Sequence, residues 1–80
     1  MAGNREPVVT YVDLLTLDVD EAREGWIAGV RGEPCGDERS RSYWHGWRNG
    51  RFAAGHAAPD QYHRQLSRDV DRLNRMAGHA

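Results

Sequence analysis

The 80 residues carry eleven arginines, twelve acids, no lysine and a single cysteine, for a formal net charge of −1. One Cys excludes an intrachain disulfide. The missing lysine excludes a Walker-type phosphate loop and Schiff-base chemistry, and no apolar run nears the ~20 residues of a membrane span. What remains is one small domain with a modest core, expected in a reducing cytoplasm, since the single Cys needs no oxidising compartment and the N-terminus has no signal-peptide pattern.

In chain order, Pro7 leads into Val8-Val9-Thr10-Tyr11-Val12, a β-branched and aromatic run that reads as extended. Leu14, Leu15 and Leu17 continue it without clean alternation, so a short helix starting at Thr10 is the competing reading. Residues 7–17 are therefore taken as an N-terminal extended segment. A strand over 8–12 finds no partner within the chain and would lie on the helices or pair with a second copy, making a homodimer through 8–12.

Asp18 or Asp20 can cap the next helix, expected over 20–31 with Glu21 and Glu24 near its positive end. Ala22, Trp26, Gly29 and Val30 fall on one stripe of it. Gly32 stops it, and residues 32–37 have the composition of a turn. A second helix is expected over 38–53, carrying Tyr43, Trp44, Trp47 and Phe52 among Arg39, Arg41, Arg48 and Arg51. After a loop at 54–58, Pro59 is placed to open a third helix over 59–78. Tyr62, Leu66, Val70, Leu73 and Ala77 give that helix one apolar stripe, while its other face holds Arg64, Arg68, Asp69, Asp71, Arg72 and Arg75. The sum is a mainly α fold: a helical hairpin at 20–53, a C-terminal amphipathic helix and the N-terminal segment.

The hairpin carries two similar cassettes twenty-one residues apart, Gly25-Trp26-Ile27-Ala28-Gly29 and Gly46-Trp47-Arg48-Asn49-Gly50. Glycines four apart share a helix face. Each costs roughly 1 kcal/mol against Ala in a helix interior, so four of them imply that two backbones come close there. The adjacent indoles would lap over the neighbouring helix. With Tyr11, Tyr43, Trp44, Phe52 and Tyr62, they supply the bulky core candidates.

Charge is polarised along the chain. Residues 1–38 hold nine acids against Arg5, Arg23 and Arg31, a balance of −6; residues 39–80 hold eight arginines against Asp60, Asp69 and Asp71, a balance of +5. Such halves can neutralise each other by packing or leave a charged patch for a partner. Enzymatic constellations are lacking. His45, His56, His63, His79 and Cys35 have no paired metal-site spacing, Ser40, Ser42 and Ser67 have no evident base, and Cys35 sits on a Gly/Pro turn without the rigid support a reactive thiol needs. No metal, no cofactor and a non-enzymatic binding protein are expected.

The central stretch resembles the ribosome modulation factor family. Its pattern is read here in Gly25-Trp26-Ile27-Ala28-Gly29-Val30-Arg31-Gly32, then Cys35, Arg39 or Arg41, Tyr43 or Trp44, and Gly46-Trp47-Arg48. The resemblance covers about a third of the chain and implies a helical hairpin. As a ribosome-hibernation protein, the chain would set Arg41, Arg48 and Arg51 on ribosomal RNA. Departures are a Cys followed by Gly36, a shorter turn, added segments at both ends, and a slightly acidic balance where that family's ribosome binders are strongly basic. As a whole the chain is similar to the small acidic anti-CRISPR proteins of phages and prophages, the type I-C class among them. That resemblance implies an inhibitor that docks on a subunit of a type I CRISPR effector complex (Cascade) and blocks target DNA. Asp13, Asp18, Asp20, Glu21 and Glu24 are its candidate partner-binding residues. A third implied reading, from one branch of the ribosome modulation factor fold, is a small modifying enzyme.

Overall fold

A computed structural model describes residues 5–78, which form four helices and no strand: α1 (Tyr11–Leu14), α2 (Val19–Val30), α3 (Arg41–Ala53) and α4 (Gln61–Gly78). The chain is mainly α, as expected. It divides into two compact units, one made of Arg5, Glu6 and residues 17–58, the other of residues 7–16 and 59–78.

In the first unit both helices are delimited by local chemistry. Asp18 caps α2, its Oδ1 accepting the Glu21 N–H at 3.0 Å, and Ser40 caps α3, its Oγ accepting the Tyr43 N–H at 3.1 Å. Both helices stop in the same way. The N–H of Glu33 reaches the Ala28 carbonyl and that of Gly32 the Gly29 carbonyl; likewise His56 reaches Arg51 and Gly55 reaches Phe52. This doubly bonded ending needs a left-handed residue just past the cap, supplied by Gly32 (φ 76°) and Gly55 (φ 78°).

The four cassette glycines bring α2 and α3 together. A methyl group added at any of them would come closer than 3.0 Å to backbone on the opposite helix: Gly25 against the Tyr43 carbonyl, Gly29 against that of Trp47, Gly46 against Ala22 and Gly50 against Trp26. Each contact on one helix is repeated on the other by adding twenty-one to its residue number. The interface is therefore locally two-fold, built from backbone rather than from interlocked side chains. It is the small-xxx-small mode of close helix approach.

The register also gives the direction. Residues 22 and 26 meet 46 and 50, the Asp18 N–H donates to Ser42 Oγ at 2.8 Å, and the far ends meet where His56 Nε2 lies 3.0 Å from the Val30 carbonyl. Contacts advance together along both helices, so α2 and α3 run parallel. The expected pair of helices is present, but residues 31–40 are a return crossover along the pair instead of a hairpin turn. The glycine spacing is the same for either direction, and the contacts across it fix the parallel one. The crossover is pinned along its length. Cys35 is buried with Ala28 and Tyr43, the Trp47 Nε1–H donates to the Glu33 carbonyl at 2.7 Å, and the Arg5 guanidinium donates to the Gly36 carbonyl.

So close an approach leaves little room between the helices for rings. Tyr43 is buried and Trp44 and Trp47 are partly so, but Trp26, Tyr11 and Tyr62, expected in the core, stand substantially in solvent. Backbone occupies the centre of the contact, and the indoles flank it.

In the second unit the chain departs from the extended reading at Tyr11. Residues 7–9 are irregular and Thr10 is extended (φ −129°, ψ 153°); Thr10 Oγ1 then accepts the Asp13 N–H at 3.1 Å and starts one helical turn. The hydroxyl cap outweighs the β-preference of Tyr11 and Val12. A strand between two copies over 8–12 would require both residues to leave that turn. The first N–H of α1, at Tyr11, finds its acceptor in Asp69 Oδ2 of α4, at 2.7 Å. α4 itself begins two residues later than Pro59 suggests. Asp60 is its cap, accepting the His63 N–H at 2.9 Å, and Pro59 precedes the cap. Of the apolar stripe on α4, Leu66 is buried.

Candidate functional site

The expected acids fall in both units. Asp13 belongs to the second unit, in α1, where its carboxylate accepts from Thr16 Oγ1 at 3.3 Å. Asp18 is committed to the α2 cap. Asp20 and Glu21, in the first turn of α2, and Glu24, one turn on, are exposed, and no ion pair or hydrogen bond engages their carboxylates among the described residues. At spacings of four and three, Asp20 and Glu21 each share a face with Glu24. Asp20 lies well away from the Gly25/Gly29 side that packs on α3, while Glu21, four residues before Gly25, flanks that side; all three acids remain exposed. Asp20, Glu21 and Glu24 are the acids of α2 that are exposed and have no partner within the described residues.

The arginines of α3 are engaged within the unit. Arg39 lies over the Tyr43 ring at 4.4 Å and Arg51 over Trp47 at 5.0 Å; Arg48 lies between Trp44 at 5.0 Å and Phe52 at 5.4 Å. Every pair is four residues apart: Arg39, just before α3, and Arg51 each cover one ring, and Arg48 is shared between two, each a cation–π contact. Arg41 Nε donates to the Glu6 carbonyl at 2.8 Å, and an Arg51 N–H donates to the His56 carbonyl at 3.3 Å. The aromatic faces that would stack on bases are thus already covered by guanidinium groups of the same helix.

Two buried polar groups on α3 also act structurally. Ser42 Oγ receives the Asp18 N–H, and His45 Nε2 lies 2.9 Å from Asn49 Nδ2. Among the described residues no three His, Cys, Asp or Glu side chains gather as a metal ion would need, and no helix is long and apolar enough to cross a membrane.

Residue patterns missed one feature of α2. Val19, Trp26 and Ile27 form an exposed apolar stripe beside the acids, with Arg23 among them. The signal was available, because at 100° per residue Val19, Arg23, Trp26 and Val30 cluster away from Gly25 and Gly29. Placing Trp26 in the core concealed it.

No protein-family model matches the chain, and neither a curated protein nor a solved structure does.

Proposed function

We propose that the chain is a non-enzymatic binding inhibitor of a nucleoprotein machine, acting through the acidic face of α2. The carrying observation is the contrast in employment: Asp20, Glu21 and Glu24 are exposed and unused by the fold, while the α3 arginines are stacked or hydrogen-bonded within it. Carboxylates spaced along an outward helix complement an Arg/Lys channel built for phosphates and compete with nucleic acid there. The particular machine proposed is a type I Cascade, which makes the chain an anti-CRISPR protein of phage or prophage origin acting in the bacterial cytoplasm.

A gel-shift assay with purified type I-C Cascade and labelled target duplex tests this. Wild-type protein is expected to reduce DNA binding, and the triple variant Asp20→Arg, Glu21→Arg, Glu24→Arg to lose that effect while remaining folded. Undiminished inhibition by the folded triple variant sinks the reading, as does a wild-type protein without effect.

Ribosome hibernation stands second, supported by the guanidinium groups of Arg48 and Arg51 being held in fixed orientations on the α3 rings. Co-sedimentation with ribosomes that falls steeply with salt would favour it over the first.

A further inference from the structure

The outward side of α2 combines two features that single-purpose surfaces lack. Val19 is 70% exposed, Trp26 44% and Ile27 39%, and Asp20 and Glu24 border them on the same twelve-residue helix. Small domains scatter single apolar residues in solvent. Here a Val, a Trp and an Ile are exposed over two turns of one helix side, with Arg23 between Val19 and the other two. The methylene stem of Arg23 extends the apolar surface of this strip. The close helix contact at that position is made by the Trp26 carbonyl against Gly50, and the side chain is 44% exposed.

We propose that this strip is a protein-docking surface whose occupant is an amphipathic helix of a partner, its apolar ridge flanked by Arg or Lys. Charge selects the occupant. A second copy packed through its own α2 would set acids against acids, and a nucleic-acid backbone or an anionic lipid surface meets the same repulsion. A basic protein helix satisfies the acidic border while its apolar ridge covers Trp26 and Ile27. Twelve residues span about 18 Å, enough to seat about three turns of such a helix. Trp26 is the anchor, as a large ring at the centre of a small contact dominates its binding energy. The inference deepens the function proposed above and shares with it only the choice of α2 as the docking helix. It adds that the contact is apolar at its centre and so resists salt that would dissolve a purely ionic one.

The test uses the 15N-labelled full chain and two designed 18-residue helical peptides with the same Leu ridge, one flanked by Arg and one by Glu. Docking of the Arg peptide is expected to shift amide resonances of residues 19–30. Trp26→Ala should weaken that docking by about tenfold or more. Val19→Arg, at a position too exposed to affect folding, should weaken it as well, and the Glu peptide should not bind. Shifts confined to other helices, equal binding by both peptides, indifference to Trp26→Ala and Val19→Arg, or no docking at all would each overturn the proposal. Inhibition of Cascade without peptide docking leaves the role of the acids standing and removes this one. Peptide docking with no effect on Cascade does the reverse.

Discussion

The carbonyl oxygen of Ala22 occupies the place where a side chain on Gly46 would begin. Its counterpart is the Tyr43 carbonyl against Gly25, twenty-one residues removed at each end. Elsewhere in a helix, Gly→Ala gains up to about 1 kcal/mol through propensity. Here the methyl group would meet backbone, which cannot move aside as a flexible side chain can, so the two helices must separate.

Gly46→Ala is therefore expected to destabilise the protein by about 3 kcal/mol or more, at or beyond the usual range for overpacking. Gly78→Ala is the control: that glycine has nothing within 4 Å of an added Cβ, and the change should be neutral or stabilise by up to about 1 kcal/mol. Urea denaturation of both variants measures the contrast. A Gly46→Ala protein as stable as wild type would show that the helices are not in contact there.

The acids of α2 separate by role. Asp18→Ala removes the cap and should cost about 1 kcal/mol. Asp20→Asn and Glu24→Gln, on exposed carboxylates, should each stay within about 0.5 kcal/mol. Thermal melts order the three. This ordering is why Asp18 is unsuited to a charge-reversal test of binding: loss of function there would be mixed with loss of helix.

The Cys35 thiol is pushed above the ordinary thiol value, chiefly by burial, with Arg5 and Arg39 opposing and Asp37 assisting. Less thiolate and less access both slow its chemistry. Reaction with Ellman's reagent at pH 8 should be at least about tenfold slower in the native protein than in the guanidinium-unfolded chain. Removing the opposing cation with Arg5→Ala should raise the thiol further. A native rate equal to the unfolded one would contradict the burial of this side chain.

Asp69 is held below the ordinary carboxylate value of 3.8, first by the Tyr11 backbone N–H and then by the Arg72 guanidinium, 2.7 Å away. A depressed carboxylate contributes stability that is complete above its unfolded value and is lost as pH falls through the folded one. Protection of the Tyr11 amide is thus expected to persist down to about pH 4 and to decline below it. Asp69→Asn should abolish that acid dependence. Amide exchange followed across pH 2–5 checks both statements, and protection unchanged at the acid end would refute them.

Much of this was legible in residue patterns because it is local. Caps at Asp18 and the stop at Gly32 follow from side-chain chemistry within four residues, and the glycine spacing alone announced a close approach. Direction was not legible. Gly25, Gly29, Gly46 and Gly50 have the same spacing whether their helices run together or opposed, and residues 31–40 can either turn tightly or travel back. The fate of Trp26 followed from that missing fact. An indole beside a helix-packing glycine is expected inside, and only the register shows that its carbonyl makes the close contact with Gly50 while the ring stays 44% exposed. The start of α1 turned on a single hydroxyl, Thr10 Oγ1, competing with β-branched neighbours of nearly equal weight.

The twenty-one-residue correspondence between the two arms has a consequence for assembly. Since each arm offers the other an equivalent face, the contact itself does not distinguish a first arm of one molecule from that of its neighbour. Only the covalent tether at 31–40, long enough to travel the length of the pair, keeps the exchange within a single chain. Shortening that tether while leaving both faces intact should yield arm-swapped dimers with the same glycine contacts, now made between chains.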